Sequence, residues 1–124
     1  MATELNSLIE SLRQFSRDRD WEQFHSPKNL ACALSVEAAE LLEKFQWLSG
    51  EQSRALSAEK RAEAGEEIAD IFLYLLQLSD KLEIDLIGSA RRKLLVNAEK
   101  YPVDKSRGTS TKYTKLCPPP GGAR

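Results

Sequence analysis

Two acidic pairs carry the chemistry that this sequence can offer. Glu37-Ala38-Ala39-Glu40 follows an apolar run that starts at Leu30, and Glu67-Ile68-Ala69-Asp70 leads into Ile71-Phe72-Leu73-Tyr74-Leu75-Leu76. Each pair is spaced i, i+3, which on a helix sets both carboxylates on one face about a turn apart. Like charges at that spacing repel, and an ionised carboxylate in a dry site costs several kcal/mol unless something positive offsets it. Four hard oxygen donors with no histidine or thiolate beside them suit Mg²⁺, or Mn²⁺ in its place. A lone Glu-x-x-Glu is mostly solvated surface; two such pairs inside apolar helical runs are less usual. Mg²⁺ is commonly held by a few carboxylates together with substrate phosphates. A di-iron bundle would need Glu-x-x-His on two helices, and the single histidine, His25, lies in no such motif.

The elements that must position these pairs read as helices. Leu5, Leu8, Ile9, Leu12 and Phe15 repeat at helical spacing behind Thr3, a candidate cap. A connector, Trp21-Glu22-Gln23-Phe24-His25, holds two large rings and the histidine. Ser26-Pro27 is an N-cap and first-turn signal for a second helix reaching about Trp47, which presents Ala33, Glu37, Glu40 and Lys44 as one stripe. Residues 49–57 read as a polar loop. Ser57 caps a long third helix to about Leu82, where Glu63, Glu67, Asp70, Tyr74 and Gln77 form a stripe of similar step. Apolar residues cover most of its remaining circumference, which predicts burial on more than one side and hence a second subunit. Asp85 caps a fourth helix carrying Lys93, Asn97 and Lys100 and ending at Tyr101-Pro102. Four helices with short connections predict an all-α fold, a four-helix bundle protomer assembled as a homo-oligomer. One domain over residues 1–115 and a disordered Pro/Gly-rich tail over 116–124 are expected.

The 124 residues carry a formal net charge of −1, which gives no global bias toward nucleic acid or a membrane surface. The charge is unevenly spread: 17 acidic and 9 basic side chains lie in residues 1–90, against 2 and 9 in residues 91–124. A basic C-terminal third beside an acidic middle could hold an anion next to a metal. Two cysteines make no disulfide framework, so a reducing cytoplasm is the expected setting. No run approaches the roughly 18–20 apolar residues of a membrane span. Metal, phosphate and aromatic base sites together describe a nucleotide hydrolase; a helical oligomer that binds nucleotide without catalysis is the rival reading.

The two acidic signatures on adjacent helices resemble those of the MazG-like all-α nucleoside triphosphate pyrophosphohydrolases. Arg19-Asp20-Trp21-Glu22-Gln23-Phe24-His25, Phe45-Gln46-Trp47, Lys93 with Asn97, Tyr101-Pro102, Ser106-Arg107-Gly108 and Lys112-Tyr113-Thr114 look like the dCTP pyrophosphatase branch. The match runs from about residue 5 to 115. The resemblance implies Mg²⁺-dependent hydrolysis of a nucleoside triphosphate to the monophosphate and pyrophosphate, with dCTP and 5-modified dCTP favoured. A broader house-cleaning specificity is the alternative within the family. It also implies a homotetramer, a dimer of dimers. Carried over by position, Glu37, Glu40, Glu67 and Asp70 would hold the metal and do the catalysis. Lys93, Asn97, Arg107 and Lys112 would contact phosphates, and Trp21, His25, Trp47 and Tyr74 would line the base and sugar pocket. Relatives of that branch extend further beyond Tyr113, which bears on an extended tail and not on the chemistry.

Overall fold

A computed structural model describes residues 3–116, all but the side chain of Thr3. The expected Pro/Gly-rich tail lies outside the described residues beyond Leu116. The chain divides into two compact units, Met1–Ile84 and Asp85–Arg124. Every regular element among the described residues is helical, so the expected all-α class holds.

The first unit contains α1 (Thr3–Asp18), α2 (Pro27–Glu43), the short α3 (Gly50–Arg54) and α4 (Ala58–Lys81), with a 3₁₀ turn at Glu22–Phe24 in the connector. Capping explains the starts. Ser26 accepts a hydrogen bond from the Asn29 amide with Pro27 in the first turn, and Ser57 accepts from the Lys60 amide. The 24-residue α4 packs mainly along α2 and more lightly on α1. Leu30 of α2 and Ala64 and Leu76 of α4 are the buried apolar anchors. Arg13 of α1 reaches α4 as a fork on the Asp80 carboxylate, Nε donating at 2.9 Å.

Helices α1 and α4 end in the same way. The Trp21 amide donates to the Ser16 carbonyl and the Ile84 amide to the Ser79 carbonyl, each at 2.9 Å. The residue between, Asp20 or Glu83, takes a left-handed φ of 54° or 55°. That is the Schellman cap, made here without glycine. Asp tolerates this conformation better than most residues, and Gln23 secures Asp20 by donating to its carbonyl and its carboxylate.

Two expectations need correcting. α2 stops at Glu43 rather than near Trp47, because the chain tightens into a turn: the Lys44 and Phe45 amides reach back only three residues, to the Leu41 and Leu42 carbonyls. The loop 49–57 holds α3, started by a capping box in which Ser49 and Gln52 satisfy each other's amides.

The second unit contains α5 (Leu86–Lys100), α6 (Val103–Ser106) and α7 (Tyr113–Leu116). Asp85 caps α5 through the Gly88 amide, and a Cβ at Gly88 would collide with that carboxylate. The Tyr101 and Tyr113 rings meet edge to face, with the Lys100 ammonium 4.7 Å from the Tyr113 ring centre.

Candidate active site

The packing of α2 on α4 decides the site. It brings Glu37 to Glu67 and Asp70, so that one carboxylate oxygen from each lies within 4.8 Å of the others. Glu40, three residues on from Glu37, falls outside this three-way set. Its charge still acts on Glu37.

Among the described residues no ion pair neutralises the cluster. Glu37 Oε2 and Glu67 Oε2 are both buried without a hydrogen-bond partner. Burial pushes the Glu37 carboxyl up to about 7, and the neighbouring Glu40, Glu67 and Asp70 carboxyls push the same way. Two orphaned carboxylate oxygens in an all-oxygen donor set fit a hard divalent cation, which would satisfy both and relieve the repulsion.

The cluster opens onto a cleft of about 420 Å³. Glu37 and Asp70 form its acidic edge, and Tyr74, one turn past Asp70 on α4, stands beside them. Trp21 and His25 close it from the connector, while Leu8, Leu12 and Phe15 of α1 supply an apolar floor. The Trp21 ring is wedged between neighbours that fix its plane: Phe15 edge-on at 5.7 Å and His25 at 6.3 Å. Arg19 stacks its guanidinium on the far partner, 3.6 Å above Phe15. The cleft thus combines an acidic rim with aromatic walls, the arrangement of a pocket for a flat ring attached to a charged chain.

The profile of the MazG-like family matches residues 32–116, which is more than half of the chain. The chain belongs to the MazG-like family. Among MazG-like relatives, dCTP pyrophosphatase 1 of Bos taurus is 44% identical over 105 residues, covering 83% of this chain and 62% of the relative. The Homo sapiens protein of that name is 41% identical over the same span. This chain therefore spans less than two thirds of the length of those relatives. A crystal structure of a pyrophosphatase from Archaeoglobus fulgidus superposes with a TM-score of 0.76 at 43% identity, covering 80% of this chain and 93% of that one.

The expected site residues of this MazG-like chain fall into three groups. Glu37, Glu67, Asp70, Trp21, His25 and Tyr74 meet around the cluster and its cleft. Trp47 does not line that cleft; it stands 86% exposed in the turn after α2. Lys93 and Asn97 lie on α5, Arg107 caps the end of α6, and Lys112 precedes α7, all in the second unit. There the Lys112 ammonium lies 5.9 Å from the Tyr113 ring centre. Ser16 belongs to the cleft without having been singled out in the sequence, and Phe15 belongs to it although its spacing marked it only as a helix-packing residue. The available signal was faint: Ser16 lies four residues after Leu12, beside Phe15 on the apolar stripe of the first helix.

Proposed function

We propose that this chain is a Mg²⁺-dependent nucleoside triphosphate pyrophosphohydrolase that converts dCTP and 5-modified dCTP to dCMP and pyrophosphate, and so sanitises the nucleotide pool. One observation carries the reading: three carboxylates with two unpartnered buried oxygens open onto an aromatic cleft. The likeness to dCTP pyrophosphatase 1 supports dCTP as the substrate.

Glu37, Glu40, Glu67 and Asp70 would hold the cation. When bound, it supplies Lewis acidity, offsetting phosphate charge and acidifying water. Trp21, His25 and Tyr74, which line the cleft, take the base and sugar. Lys93, Asn97, Arg107 and Lys112 remain the phosphate contacts that the family resemblance implies. Glu37 accepts the proton of the water that attacks the α-phosphorus. The new phosphorus–oxygen bond forms as the bond to the bridging oxygen breaks, and pyrophosphate leaves.

The working form is a homotetramer, a dimer of dimers, in the cytoplasm. Ile68 and Phe72 of α4, 55% and 42% exposed, and Val36 and Leu42 of α2 support this assembly, since large apolar side chains on central helices are stable when a second copy covers them. Among the described residues no helix is long and apolar enough to cross a membrane.

The deciding experiment measures pyrophosphate release from dCTP with Mg²⁺ and with a chelator, alongside a panel of other triphosphates. Chelator-sensitive release that favours dCTP is expected. No release from any triphosphate would remove the catalytic reading, and equal release from all would remove the cytosine preference.

A further inference from the structure

Ser16 is one of two buried polar side chains among the described residues, at 6% exposure. Its carbonyl closes the α1 cap by accepting from the Trp21 amide. Any residue supplies a carbonyl, so the cap does not account for a hydroxyl in an apolar register. The hydroxyl has a partner of its own: Ser16 Oγ lies 3.4 Å from His25 Nδ1. One residue thus touches both ends of the connector that walls the cleft, Trp21 through the backbone and His25 through the side chain. The His25 backbone is held independently, its amide donating to the Glu22 carbonyl. What the hydroxyl adds is therefore control of the ring.

A neutral imidazole carries its proton on one nitrogen, and the bond made by the other nitrogen selects which. We propose that Ser16 is a positioning residue whose hydroxyl donates to His25 Nδ1 and holds the ring in the Nε2–H form, so that His25 meets the bound nucleotide as a hydrogen-bond donor. The inference rests on reading the cleft as the nucleotide pocket. The atom it would address is an oxygen acceptor on the nucleotide, and the contact serves ground state and transition state alike. Ser16 consequently acts on affinity and not on the chemical step.

His25 is the single histidine of these 124 residues, so ¹⁵N imidazole spectra of this chain without a tag report on this ring alone. The wild type is expected to show the Nε2–H tautomer. Ser16→Ala, which favours the helix and should fold normally, is expected to give a tautomer mixture. Its KM for dCTP should rise about three- to tenfold, the scale of one hydrogen bond, with kcat held within about twofold. Ser16→Thr, which keeps the hydroxyl, should restore both. The proposal is overturned by an Nδ1–H ring in the wild type, by spectra unchanged in Ser16→Ala, or by an equal rise in KM when Ser16→Ala is added to His25→Ala. The spectra need no turnover. Should the wild type release no pyrophosphate while the ring still follows residue 16, the nucleotide reading fails and the link from Ser16 to His25 stands.

Discussion

Helix α4 carries two acidic sites with opposite fates. At Asp80 the carboxylate meets the Arg13 guanidinium as a two-pronged pair, and that partner holds it below the usual carboxylate range. At Glu67 and Asp70 the same helix meets Glu37 instead, and burial among like charges drives Glu37 the other way, to about 7. The fold therefore has the means to neutralise a carboxylate on α4 from a neighbouring helix, and among the described residues uses it at Asp80 and not at the cluster. A negative group paired by the protein serves packing; a cluster left with orphaned oxygens is held ready for a charge from outside. The contrast makes different variants of one helix diagnostic.

The largest effect should come from Asp70→Asn, which removes one charge from the cluster while keeping its shape. Mg²⁺-dependent pyrophosphate release from dCTP should fall roughly a hundredfold or more, since even residues behind the ligands of a metal site cost 10–100-fold. Helical content by circular dichroism should stay at the wild-type level. Near-normal turnover would reduce the cluster to an accident of packing and erase the contrast with Asp80.

Much of this was legible because it is local. Ser26, Ser57 and Asp85 cap helices where their side-chain chemistry says they should, and the i, i+3 spacing put each acidic pair on one face. The neighbouring of α2 and α4 came from the family resemblance, since matching stripes alone do not say which helices pack together. The capping box Ser49-x-x-Gln52 was present in the residues, but the polar composition around it hid α3. What stayed illegible depends on contacts between distant residues. Nothing near Asp80 announces a partner at Arg13, 67 positions earlier. The left-handed Asp20 and the turn from Ser16 to His25 require α1 to end where it does. Trp47 reads as a pocket residue by type, yet only tertiary placement shows it standing in solvent within the protomer.

An intermediate effect concerns pH. Glu37 keeps its proton up to about 7 in the folded chain, whereas unfolding returns it to the ordinary carboxylate range near 4.5. Between those values the folded state binds the extra proton, so stability falls as pH rises through that window. In metal-free buffer the melting temperature should therefore drop by a few degrees from pH 5 to pH 7.5, and Glu37→Gln should flatten the slope. Added Mg²⁺ needs the ionised carboxylates and should stabilise more at pH 7.5 than at pH 5. Equal stabilisation at both values, or a slope that survives Glu37→Gln, would place the titrating group elsewhere.

The smallest effect should come from the satisfied site. Asp80→Asn removes the charge that Arg13 holds across α1 and α4, and the pair is partly open to solvent, so screening limits the loss. A fall in melting temperature of about 2–4 °C is expected near neutral pH. The sign of its pH dependence opposes that of Glu37. A lowered carboxylate contributes stability above the ordinary carboxylate range and loses it as pH falls through the lowered value. Wild type and Asp80→Asn should therefore converge on acidification, whereas Glu37→Gln and wild type should separate most across the interval from about 4.5 to about 7. Turnover of dCTP should stay within about twofold of wild type, because Asp80 lies outside the cleft that Asp70 borders. If Asp80→Asn instead matched Asp70→Asn in lost activity, pairing on α4 would no longer separate a structural carboxylate from one reserved for chemistry.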